Sequence, residues 1–291
     1  MSTPLDPRRE HPSTYFVQDR SNEDELARVQ LQDSMLTASM GGVLPEQPPP
    51  AIFRRVLDVG CGTGGWLIEA AKTYPTLSLL VGIDVSDKML NYARSQAAAE
   101  QISDRVEFHA MDALRMLEFP VGFFDLVNHR AGISWLRTWD WPKLLQEYWR
   151  VTRPGGVIRI TETDTLVEPV SPARTRLCEL TLDAFYQAGH FFVREKDGVT
   201  RQLAHLLRQQ GLQDVQTHDH TLEYRAGTPE GQRFYEDVKL AYRTVIPFFR
   251  KWTNLPDDYE AIYQQVLDEM QQPGFVSRWR LLTAWGTRPD R

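Results

Sequence analysis

Val56-Leu57-Asp58-Val59-Gly60-Cys61-Gly62-Thr63-Gly64-Gly65 passes from an apolar, β-rich run through a glycine turn into helical spacing. Glycines in such a turn let a ligand approach the backbone closely, and the helix that follows presents free N–H groups at its start. The stretch therefore reads as a cofactor cradle at the carboxyl end of a strand. Its glycines alone leave the cofactor open, because Gly60, Gly62 and Gly65 also satisfy the G-x-G-x-x-G of dinucleotide binding. Asp58 weighs the other way: a carboxylate under the loop suits a ligand with a cationic end better than a pyrophosphate.

Around this cradle, apolar runs alternate with helical patterns, as in βαβ units. Strands are expected at Arg55–Gly60, Ser78–Val85, Arg105–Asp112, Phe123–Asn128 and Val157–Thr163. Helices are expected at Gly64–Thr73, Ser86–Glu100, Trp141–Val151, Pro172–Ala188 and Val199–Gln210, with Gly211 as a C-cap. Val215–Tyr224 and Trp279–Trp285 then read as strands separated only by helical material over Thr228–Lys251 and Asp257–Gln272. The expected fold is α/β: a doubly wound, Rossmann-like, seven-stranded, mostly parallel sheet with the last strand antiparallel. An N-terminal helical arm and a helical insertion before the last strand complete it. The arm runs to Arg20, with a helix over Asn22–Ser39 capped from Ser21 and Asp24, and Gln47-Pro48-Pro49-Pro50 links it to the first strand. The resulting organisation is 1–50 arm and lid, 51–225 cofactor-binding core, 226–275 insertion over a substrate pocket, and 276–291 last core strand.

The chain has 291 residues, enough to bury a sizeable core without disulfides or metals. Its 33 basic and 39 acidic residues leave a net charge of −6, which argues against a general nucleic-acid binder. Two cysteines, Cys61 and Cys178, give no disulfide framework and fit a reducing cytoplasm. The start carries no apolar signal-peptide region, and the longest charge-free run is 12 residues, Ser34 to Pro45, so no membrane span is expected. No zinc-type spacing or nucleophile elbow occurs; His218 and His220 share one strand face, but spacing offers them no third metal ligand.

Asp84 closes the second expected strand where an acid takes ribose hydroxyls, and Asp112 closes the third, able to accept from an exocyclic amine such as adenine N6. Asp58, Asp84 and Asp112 thus end three successive strands at one sheet edge. Together with Gly82-Ile83-Asp84-Val85-Ser86, Met111-Asp112-Ala113, Phe124-Asp125-Leu126-Val127 and Arg150-Val151-Thr152-Arg153-Pro154-Gly155-Gly156, the cradle resembles the ordered motifs of class I S-adenosylmethionine-dependent methyltransferases. The likeness covers Arg54 to Thr163. It is nearest the small-molecule branch that includes ubiquinone/menaquinone-biosynthesis and natural-product methyltransferases.

The resemblance implies S-adenosyl-L-methionine as cofactor. It places Gly60, Cys61 and Gly62 near the methionyl part, Asp84 on the ribose, Val85 and Met89 beside the adenine, and Asp112 with Ala113 at its polar edge. It also places the Asn128 main chain near the cofactor amine and offers Tyr15 of the arm as a closing aromatic. Aromatics crowd the segments expected above the sulfonium, which favours a small aromatic or hydrophobic acceptor. Trp135, Tyr186, Phe191 and Tyr242 are the expected lining, and Arg130 a partner for a substrate carboxylate or phenolate. For a hydroxyl acceptor, His129 and His190 are the candidate bases, since histidine titrates near neutrality. Two other readings keep part of this pattern: a cofactor-binding scaffold or pericyclase-like protein without methyl transfer, and an NAD(P)-dependent dehydrogenase. No segment signals a particular oligomeric state.

Overall fold

The computed structural model of the chain describes residues 15–17, 23–47, 53–165 and 171–290. The remainder of the arm, the Ser21 cap and the Pro48-Pro49-Pro50 link lie outside the described residues. The elements run α1 (Glu23–Ser39), β1 (Arg55–Val59), α2 (Gly65–Thr73), β2 (Leu79–Asp84), α3 (Asp87–Ala99), β3 (Val106–Ala110), β4 (Phe124–Arg130) and α4 (Trp141–Val151). They continue with β5 (Thr152–Thr163), α5 (Pro172–Gln187), α6 (Leu203–Gln209), β6 (Gln213–Arg225), α7 (Pro229–Thr244), α8 (Ile246–Trp252), α9 (Tyr259–Met270) and β7 (Val276–Thr287).

The sheet has the order β3-β2-β1-β4-β5-β7-β6. β1 pairs in parallel with β2 and β4, and β7 lies antiparallel between β5 and β6. The expected mostly parallel sheet with an antiparallel last strand is therefore what forms, and the final two strands pair at its edge. Val56, Leu57 and Val59 of β1 are completely buried between helices on both faces. Burial of each such side chain contributes about 1.5–3 kcal/mol, which explains why the central strands are continuous apolar runs.

Three helices start where a hydroxyl caps them: Ser86 accepts from the Met89 amide, Ser171 from that of Arg174 and Thr228 from that of Gly231. The helix expected over Thr228–Lys251 divides at Val245 into α7 and α8. Pro247 sits at the second position of α8 and cannot donate back into a continuous helix. The helix expected from Val199 begins as a short 3-10 turn at Thr200–Gln202 before α6. β5 starts five residues earlier than expected, at Thr152, because Pro154-Gly155-Gly156 continues the strand through a register shift opposite Phe124 and Leu126. Finally, α1 packs along α7, so the N-terminal helix and the insertion meet above the carboxyl edge of the parallel strands.

Candidate functional site

A cavity of about 480 Å3 opens at that edge. Its floor is the turn between β1 and α2, where Gly60, Gly62 and Gly64 hold φ of 68°, 52° and 74°, the left-handed region that favours glycine. Gly65 then lacks a Cβ where one would collide with the Asp33 carboxylate of α1. The turn is tied to the end of β2. The Cys61 amide donates to the Ile83 carbonyl (3.0 Å), and the Gly62 amide to Asp84 Oδ2 (3.0 Å), while Asp84 Oδ1 accepts from Ser86 (2.9 Å). Asp112 caps the turn after β3 by accepting from the Leu114 amide (2.9 Å).

Asp58, Asp84 and Asp112 all line this cavity. Asp58 is the buried member. Asn128 Nδ2 donates to its Oδ1 at 2.7 Å, and Asn128 in turn accepts from Arg159, which is paired with Glu46. Burial pushes the Asp58 carboxyl up to about 7, with Arg130 and Asn128 opposing the shift. A cation at this spot would restore its ionised form. The glycine turn, the fixed Asp84, and Val85, Met89, Asp112 and Ala113 beside it all border the one cavity, so the residues present fit an adenosyl sulfonium.

The roof is a polar network between α1 and α7. Glu25 accepts from Arg28 Nε (2.8 Å) and Nη2 (2.7 Å) and from the Tyr15 hydroxyl; Arg28 Nη1 reaches Asp237 at 3.4 Å, and Gln32 donates to the same carboxylate at 3.3 Å. Glu25, Arg28 and Asp237 are buried. Sequence reasoning missed this cluster, although Glu25, Arg28, Val29, Gln32, Asp33 and Leu36 recur at the spacing of one helical face. The face is polar, and a search for apolar stripes passes over it.

The inner wall holds a second residue that sequence reasoning missed, Glu162, next to last in β5. Its side chain has no exposure; Oε2 accepts from the Ile133 amide (3.1 Å), whereas Oε1 has no hydrogen-bond partner and lies 3.7 Å from His129 Nε2. Burial pushes this carboxyl up to about 8, against the backbone N–H groups of Ile133 and Gly132.

Of the expected site residues, Tyr15, Gly60, Cys61, Gly62, Asp84, Val85, Met89, Asp112, Ala113, Arg130, Trp135 and Tyr242 line the cavity. Five do not. His129 is fully buried behind it, stacked between Trp135 (5.5 Å) and Trp141 (5.9 Å) and hydrogen-bonded to the Tyr148 hydroxyl (3.0 Å). Burial holds it down to about 3, so it stays neutral in the core and has no direct access to a substrate. His190 is likewise enclosed by Phe185 (5.4 Å) and Phe248 (5.8 Å) and held down to about 4, chiefly by burial. Phe191 stacks on Phe185 in the core, and Tyr186 projects from α5 with 41% exposure. Asn128 supports Asp58 from below the cavity. Arg130 lines the cavity, but Asp33 already neutralises it, with Thr37 accepting a further bond at 3.1 Å.

Residues 56–156 match the family model described as a methyltransferase domain. A demethylmenaquinone methyltransferase of Deinococcus radiodurans is 40% identical over 109 residues, covering 38% of this chain and 43% of the relative. A tRNA 5-carboxymethoxyuridine methyltransferase of Escherichia coli (strain K12) is 34% identical over 134 residues, 45% of this chain and 48% of the relative. The chain thus spans about half or less of the length of these curated relatives. Among solved structures, that of the [4+2]-cyclase SpnF has the same fold, with a TM-score of 0.51 and 20% identity over 96% of this chain and 98% of that one. The family match falls within Arg54 to Thr163, and the matches bear out the resemblance of that stretch to class I methyltransferases.

Proposed function

We propose that this protein is an S-adenosylmethionine-dependent methyltransferase acting on a small aromatic or hydrophobic molecule in the cytoplasm. One observation carries the reading: the glycine turn and the three acids Asp58, Asp84 and Asp112 border the same cavity, which is also lined by apolar and aromatic side chains such as Leu177, Phe185, Phe249 and Leu281. In this reading 51–225 and 276–291 form the cofactor-binding core, and 1–50 and 226–275 close over the acceptor. The acids along the cavity and the net charge of −6 favour a small molecule over a nucleic acid. Two free cysteines and the absence, among the described residues, of a helix long and apolar enough to cross a membrane are in keeping with a cytoplasmic location.

S-adenosylmethionine supplies the activated methyl carbon, so the chain must align an acceptor and exclude water. Asp84 would hold the ribose, Asp112 the adenine edge and Asp58 the cationic part. The α1–α7 roof shields the inner cavity. A hydroxyl acceptor would need a base, a contribution of about 10²- to 10⁴-fold, and neither His129 nor His190 lines the cavity. An amine or an activated carbon needs no such base.

Titration calorimetry tests the reading. Heat on adding S-adenosylhomocysteine and none on adding NAD supports it; heat with NAD alone overturns it. Conversion of S-adenosylmethionine to S-adenosylhomocysteine with an acceptor present then separates a methyltransferase from a scaffold.

A further inference from the structure

Three cations line the cavity among the described residues: Arg28, Arg130 and Arg174. Arg28 has Glu25 and Asp237, and Arg130 has Asp33. Arg174, in the first turn of α5, has no carboxylate partner among the described residues. Its Nη2 donates to Ser277 Oγ at 3.0 Å, its guanidinium carbon stands 5.1 Å from the centre of the Phe275 ring, and its Nη1 is buried without a hydrogen-bond partner. The nearby Glu269 is already taken, one oxygen accepting from Ser171 and the other from Gln265 at 2.9 Å. Only 5% of Arg174 is exposed. Leaving a guanidinium in such a place without a counter-ion is strongly unfavourable, and burial lowers its pKa accordingly.

Leu177, Cys178, Tyr242, Val266, Met270 and Leu281 line the same cavity and give it an apolar wall. We propose that Arg174 is the anchor for an anionic group of the acceptor, so that the substrate class is an apolar or aromatic molecule bearing a carboxylate or comparable anion. The inference rests on the methyltransferase reading for what the cavity is for. It moves the role expected of Arg130 to Arg174, because of the three cavity arginines only Arg174 has no carboxylate partner among the described residues. The unpartnered Nη1 can donate to a carboxylate oxygen, and charge-assisted bonds of this kind are worth about tenfold or more in affinity.

The test compares 4-phenylbutyrate with 4-phenylbutyramide, which differ only in the charged head, by titration calorimetry with and without saturating S-adenosylhomocysteine. The wild-type chain should bind the acid at least about tenfold tighter than the amide. Arg174→Met should abolish that preference and Arg174→Lys retain part of it, both leaving the affinity for S-adenosylhomocysteine unchanged. No difference between acid and amide in the wild type, whether both bind or neither does, overturns the proposal even if the variants fail to fold. The S-adenosylhomocysteine titration alone reports on the methyltransferase reading, so the two fail separately.

Discussion

Asp58 should make cofactor binding a proton-coupled event. With the cavity empty, burial holds its carboxyl near 7, so close to half of the molecules carry a proton there at neutral pH. A sulfonium or ammonium above it favours the ionised form, and binding must then expel that proton. From linkage, affinity for S-adenosylmethionine should fall about tenfold between pH 8 and pH 6, with about half a proton released per cofactor at pH 7 and nearly a whole one at pH 6. Calorimetry in two buffers of different ionisation enthalpy counts those protons directly. Asp58→Asn keeps an oxygen for Asn128 Nδ2 to bond and removes the titration, so its affinity should be low and flat with pH. A wild-type protein that releases no proton, or an Asn variant with the wild-type pH profile, refutes the reasoning.

Other consequences are checked more simply. Asp84→Ala should weaken cofactor binding by about 1–3 kcal/mol in calorimetry, the range for a lost bond to a charged group, and should loosen the Gly62 turn that it holds. Glu162 has its pKa raised in the folded state, so its stabilising contribution is present at acid pH and lost as pH rises toward and through about 8. Urea unfolding of the empty protein should show a loss on the order of 2 kcal/mol between about pH 6.5 and 8.5, and Glu162→Gln should flatten that fall. Arg28→Met leaves Glu25 and Asp237 buried without a cation and should cost about 3–5 kcal/mol of stability, read as a lower urea midpoint.

The part of the cavity proposed for the cofactor was legible in the sequence because the topology writes it locally. A glycine turn after one strand and an acid at the end of each of three strands lie at fixed places relative to the sheet edge, and the parallel order then brings them together. The part proposed for the acceptor was not, because its residues come from elements far apart in the chain. Glu162 looks like any acid near a strand end until Ile133 and His129 enclose it. Arg130 reads as a free cation until Asp33 of α1 is seen beside it, and Arg174 reads as a surface charge on a new helix until β7 and α9 close around it. The two histidines misled for the same reason. His129 directly follows Asn128, but consecutive strand residues point to opposite faces, and its face is the packed one with Trp141 and Tyr148. Trp135 and Tyr242 reach the cavity while Phe191 and Tyr186 do not, a distinction that depends on how α5 and the segment after it are rotated and not on composition.

A crystal structure with S-adenosylhomocysteine bound tests the central claim most directly. The ribose should sit on Asp84, the adenine edge at Asp112 and the amino-acid end over the Gly60–Gly62 turn above Asp58, with the sulfur facing the apolar wall. A ligand bound away from these three acids, or density for it elsewhere on the protein, contradicts the account.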